Sequence, residues 1–189
     1  MAEPAVKPMT LEEFLRWDDG TETHYELIGG FAVAMAPPAE AHRILAMRLG
    51  SRIDSALAGR RPCNAQIEAG VARPDRVDTY FEADIAVTCE SNEPGRQTIK
   101  DPLLIVEILS PGNEAETREN VWAYATIPSV SEILLVRSTE IGAELLRRQA
   151  DGSWPAEPQL LTAADEVTLV SLDFSGPLAA FYRDTYLAG

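Results

Sequence analysis

The chain has 189 residues, 46% of them apolar and 24% charged, which suits one globular domain with its own core and excludes global disorder. Thirty acidic residues against 16 basic ones give a net charge of −14, a balance that keeps a protein soluble and repels nucleic acid at long range. Two cysteines, Cys63 and Cys89, are too few for a disulfide framework and lack metal-motif spacing. With no secretory segment in Met1–Pro8 and no apolar run long enough to span a bilayer, the expectation is a cytoplasmic protein in a reducing compartment.

Residues 1–8 read as a loose tail, and one domain is expected over 9–187. Thr10 and Glu13 form a capping-box pattern that starts a helix, with Leu11, Phe14, Leu15 and Trp17 as its apolar stripe and Asp18-Asp19-Gly20 as its end. Tyr25–Ile28 and Phe31–Met35 flank Gly29-Gly30, a hairpin signal. After Pro37-Pro38, apolar residues at Ile44, Leu45, Met47, Leu49, Ile53 and Leu57 follow helical spacing until Gly59–Pro62 stops it. Strands are predicted over 63–72 and 80–88, joined by a polar loop.

Pro102–Leu109 is a near-continuous apolar run, the pattern of a strand covered on both faces. Ser110–Asn113 turns the chain into a helix over Glu114–Thr126. Strands follow near 131–137, 142–148, 158–162 and 167–170, and Leu178–Tyr186 reads as a closing helix. Together these elements predict an α/β fold: a mixed sheet flanked by helices, an N-terminal helix and hairpin, and C-terminal hairpins.

Chemistry points to two acids. On strand alternation, Glu82, Asp84 and Ala86 share one face, and Phe81, Ala83, Ile85 and Val87 the other. Glu107 lies inside the most apolar strand, where an ionised carboxylate needs a partner, a proton or a metal. An Asp and a Glu on neighbouring strands could together hold one hard divalent cation through oxygen ligands. A structural role for Glu107, pairing with an arginine, is the competing account. Trp17, Trp122 and Trp154 read either as interface aromatics or as core.

The segments Met9–Phe14, Tyr25–Gly30, Ala83–Val87, Ile105–Pro111 and Ile127–Val136 occur in one order over most of the chain. That ordered set resembles the Uma-two family of restriction endonucleases, a branch of the PD-(D/E)xK nuclease superfamily. The resemblance implies a restriction-endonuclease-like fold, a homodimer, and a Mg²⁺- or Mn²⁺-dependent nuclease acting on DNA. It implies Asp84 and Glu107 as metal ligands, Glu26 as a third acid, and His42 near the site.

The motif's lysine position is held by Leu109, which carries neither charge nor donor. The helix position from which relatives supply a substitute lysine is Asn120, which can orient a water but cannot act as an ammonium. Arg118 stands nearby as a replacement cation, while Lys100 reads as a solvated side chain too far from Glu107. The missing lysine and the acidic balance leave a second expectation open: an inactive endonuclease-like domain acting as a binding module.

Overall fold

The computed structural model describes residues 7–188, so residues 1–6 of the expected tail lie outside the described residues. The first helix, α1 (Leu11–Phe14), is a single turn fixed by the capping box: Glu13 N–H donates to Thr10 Oγ1, and Thr10 N–H to Glu13 Oε2. Strands β1 (Tyr25–Ile28) and β2 (Phe31–Ala34) form the expected hairpin. Gly29 and Gly30 both take positive φ, 57° and 88°, as a two-residue turn between antiparallel strands requires.

The long helix α2 (Glu40–Ala56) is followed by β3 (Asn64–Ala72), β4 (Tyr80–Thr88) and β5 (Pro102–Leu109). Helix α3 (Glu114–Ala125) then crosses to β6 (Glu132–Arg137), which pairs parallel to β5. Antiparallel β7 (Gly142–Arg147) and β8 (Gln159–Thr162) complete an eight-stranded mixed sheet in the order β2-β1-β4-β5-β6-β7-β8, with β3 on β4. A separate hairpin joins β9 (Glu166–Leu169) to β10 (Phe174–Pro177).

The two helices cover opposite faces. Leu45, Leu49, Ile53 and Leu57 of α2 pack on Ile85, Val87, Val106, Ile108 and Leu134. Val121 and Tyr124 of α3 pack on Ile105, Leu109, Ile133 and Leu135. That is why β5 reads as unbroken apolar sequence: both of its faces are covered. Burying side chains of this size contributes about 1.5–3 kcal/mol each. No helix among the described residues is long and apolar enough to cross a membrane.

Three expectations are corrected. The closing helix is only a 3₁₀ turn, Leu178–Phe181, and beyond it Asp184 adopts a left-handed φ of 63° that ends further winding. Leu178, Phe181 and Tyr182 supply the apolar spacing of a helix while packing under α2. Cys63 and Cys89 are joined by a disulfide, because the register that pairs Asn64 with Thr88 sets them opposite each other at the ends of β3 and β4. Finally, strict alternation fails on β4: Phe81 and Ala83 pack with Ala86 in the cluster under α3, whereas Ile85 and Val87 pack under α2. The break falls at Asp84.

Candidate active site

The break has a topological cause. One end of β4 pairs with β1 through Leu27 and Tyr80, and the other pairs with β5 from Ile85 onward. Between these contacts two backbone donors of β4 have no strand partner, and buried donors must be satisfied. Carboxylates take them: Glu82 N–H donates to Glu26 Oε1 at 3.1 Å, and Asp84 N–H points to Glu107 Oε2 at 3.4 Å. Asp84 in turn accepts Ile108 N–H through Oδ2 at 2.6 Å. The Asp84 carboxylate thus occupies a ladder position between the strands. Across β3, Glu68 stands at the same level with a left-handed φ of 49°, a local irregularity opposite Asp84.

Helices grip these acids from both sides. His42, in the first turn of α2, places Nε2 2.7 Å from Asp84 Oδ1. From α3, the Tyr124 hydroxyl donates to Glu107 Oε1 at 2.6 Å, and one turn earlier Asn120 Nδ2 lies 3.3 and 3.4 Å from the two oxygens of Glu26. Asp84, Glu107, Glu26, His42 and Asn120 are therefore brought together. Tyr124 is an addition that the sequence analysis did not single out; its signal was a tyrosine four residues after Asn120, on the same helical face.

Arg118 is not brought in. Its guanidinium is held by Glu114 at 2.9 Å and by Glu144 at 2.7 Å, on another part of the sheet. It therefore cannot stand in for the absent lysine. Lys100 pairs with Glu90 at 3.0 Å, an exposed contact away from the site. Trp122 is exposed, while Trp154 is half-buried with Nε1–H donating to Ala125 O at 2.9 Å.

The electrostatics are lopsided. Among the described residues, no arginine or lysine pairs with Glu26, Asp84 or Glu107. Burial, reinforced by the Asp84 charge, holds the Glu107 carboxyl well above the usual carboxylate range. Burial likewise pushes Glu26 up to about 7. Both prefer a proton unless a cation arrives. Glu107 and Glu26 are buried, and Asp84 gives the group its opening to solvent, with 19% of its side chain exposed.

A second acidic group adjoins. His24 Nδ1 lies 2.5 Å from Glu82 Oε1, and with Glu68 these residues place three ligand atoms within 4.8 Å of one another. Glu26, Asp84 and Glu107 do not form such a close trio. The Glu82 hydrogen bond raises the His24 pKa. Glu82 and His24 also line a cavity of about 320 Å³ together with Trp17, Tyr25 and Tyr80.

Comparison with known proteins bears on the family and the fold. The sequence profile of the Uma2 family, described as "Putative restriction endonuclease", matches residues 11–179. The uncharacterized protein slr1290 of Synechocystis sp. is 30% identical over 187 residues, covering 95% of this chain and 93% of that protein. A crystal structure of a "putative nuclease belonging to DUF820" from Anabaena variabilis superposes with a TM-score of 0.74 at 21% identity, covering 93% of this chain and 98% of that one. The fold is shared with that structure.

Proposed function

The chain belongs to the Uma2 family of restriction-endonuclease-like proteins, and from that premise we propose that it hydrolyses DNA phosphodiester bonds with a bound Mg²⁺ or Mn²⁺. The observation that carries this reading is the gap between β1 and β5 along β4, where the Asp84 and Glu107 carboxylates adjoin, with Glu26 at its β1 side, and no arginine or lysine pairs with any of them. An all-oxygen donor set suits a hard divalent cation, and uncompensated buried acids favour binding one. Asp84 and Glu107 would hold it, with Glu26 in support. When bound, such a cation supplies positive charge for the phosphoryl oxygens and favours deprotonation of the attacking water.

The protein's own groups do the rest. His42 fixes the Asp84 carboxylate through Oδ1 and can hold a proton at Nε2. Asn120, a neutral donor, holds Glu26 and can orient a water. A net charge of −14 gives little long-range attraction for DNA, so affinity rests on local contacts and the cation.

One observation favours a second reading, a binding module without catalysis. The motif's lysine position holds Leu109, the substitute position on α3 holds Asn120, and Arg118 is tied to Glu144. Two measurements separate the readings. Mg²⁺ or Mn²⁺ should raise the melting temperature of the wild type, by an amount equivalent to about 2.7 kcal/mol at a hundredfold excess over Kd, and Asp84→Ala should abolish the rise. On plasmid DNA, the wild type should cleave and Glu107→Ala should not. Equal cleavage by both proteins sinks the nuclease reading; a metal-dependent rise without cleavage selects the module.

A further inference from the structure

Tyr124 makes no contribution to the cation-binding set just described, yet its placement is specific. Its side chain is fully buried, and the Phe81 ring meets it edge-on at 5.4 Å, which fixes the phenol plane. From there the hydroxyl donates to Glu107 Oε1 at 2.6 Å, a short contact. Glu107 Oε2 is left beside Asp84 N–H at 3.4 Å, a long and weak interaction that a better electrophile would displace. One turn earlier on α3, Asn120 makes the matching contact to Glu26. A single helical face therefore reaches two carboxylates from two different strands, β1 and β5.

We infer that Tyr124 is a positioning residue: its hydroxyl pins Oε1 of Glu107 so that Oε2 is presented to the cation next to Asp84. This rests on the metal-site reading above. A glutamate side chain rotates about three bonds, and surrounding hydrogen bonds are what hold a ligating carboxylate in one orientation. Without the hydroxyl, Oε1 of Glu107 would lose its donor, and nothing would hold the carboxyl in the orientation that turns Oε2 toward Asp84.

Tyr182 provides a matched control. It is equally buried, and its hydroxyl lies 2.7 Å from Arg137 O and 2.9 Å from Gly142 O, one of which takes its proton, under α2 and away from the acids. Tyr124→Phe and Tyr182→Phe delete the same group from equally buried rings. Mn²⁺ affinity, read by titration calorimetry, should weaken about tenfold or more in Tyr124→Phe, the usual scale for groups that orient a ligand, and stay within about twofold in Tyr182→Phe. A change of similar size in both variants, or in neither, overturns the inference. Should Tyr124→Phe fail to fold, 3-fluorotyrosine placed at 124 or 182 keeps the ring and hydroxyl. Its ¹⁹F resonance should move with Mg²⁺ at 124 only, and a still resonance at 124 while the protein binds Mg²⁺ overturns the inference too. A wild type that binds no Mn²⁺ removes the metal-site reading itself, and this inference with it, whereas wild-type binding with an unchanged Tyr124→Phe removes the inference alone.

Discussion

Glu132 and Glu144, on β6 and β7, are as deeply buried as Glu26 and Glu107 on β1 and β5, yet the two pairs are compensated in opposite ways. Glu132 receives Arg147 Nε at 2.8 Å, the backbone N–H groups of Val170 and Ser171, and the Ser171 hydroxyl. Glu144 is clamped by Arg118 and Arg137, each at 2.7 Å, and the Arg118 hydrogen bond lowers its pKa. Glu26 and Glu107 receive only neutral donors, and both are raised. One half of the sheet thus buries charge with its counter-charge in place. The other half buries charge and leaves the counter-charge out. A structural acid is stabilised by its arginine; a site acid is left dependent on something that must come from outside.

The largest expected effect follows from Glu26. Its folded pKa of about 7 lies above its ordinary value of 4.5, so between these values the folded chain holds a proton that the unfolded chain has lost. The stabilisation is complete below about pH 4.5 and disappears as pH rises through 7, a difference of about 3 kcal/mol. Glu107 acts in the same direction. In metal-free buffer, urea denaturation should therefore show Glu26→Gln gaining on the wild type between pH 5 and pH 8 and matching it near pH 5. Parallel profiles for the two proteins would mean that the site acids are no less compensated than Glu144.

A smaller effect tests the two halves directly. Glu144→Gln removes the buried anion that Arg118 and Arg137 share and leaves them only the more exposed Glu114 and Glu140. The guanidinium groups are about a third exposed, so water recovers part of the loss and the cost should be about 2 kcal/mol. Glu107→Gln replaces a carboxyl whose ionised form burial and Asp84 disfavour, while its amide oxygen still accepts from Tyr124, so the metal-free protein should be unchanged or stabilised. Opposite signs in melting temperature at pH 8 are the expected outcome; equal destabilisation would dissolve the contrast.

Much of this contrast was written in the sequence, but unevenly. Glu107 stood out because an acid inside Pro102–Leu109 breaks an apolar run, and the order of β4, β5 and α3 set Asp84 beside it. Glu26, His42 and Asn120 entered through family resemblance, since nothing in their local patterns distinguishes them from surface residues. The break in β4 was hidden because period-two alternation assumes one neighbour along each edge, whereas β4 passes from β1 to β5 at the site. The Cys63–Cys89 bond was derivable once β3 and β4 were taken as a hairpin with a register; as isolated cysteines 26 residues apart they carried no such information. Tyr124 was masked by its own apolarity, because a buried tyrosine looks like core until the partner of its hydroxyl is known.

The mildest prediction concerns the missing cation itself. Asn120 is nearly buried and sits 3.3 Å from Glu26, with Glu107 and Asp84 close by. Burying an ammonium alone is costly, but here it would stand beside the Glu26 carboxylate, and opposite charge at short range lowers a carboxylate pKa. Asn120→Lys should therefore fold, reverse part of the upward shift of Glu26, and shrink the pH 5 to pH 8 stability difference by about 1.4 kcal/mol, one decade in an equilibrium constant. Cleavage of plasmid DNA in Mg²⁺ should rise about tenfold, because an ammonium can stabilise developing negative charge where an amide cannot. Arg118→Lys should do neither, since its cation is committed to Glu144. If Asn120→Lys instead melts lower and leaves cleavage unchanged, the electrostatic gap between the two halves is not a vacancy for positive charge, and the acids must be held as neutral, protonated groups that serve packing alone.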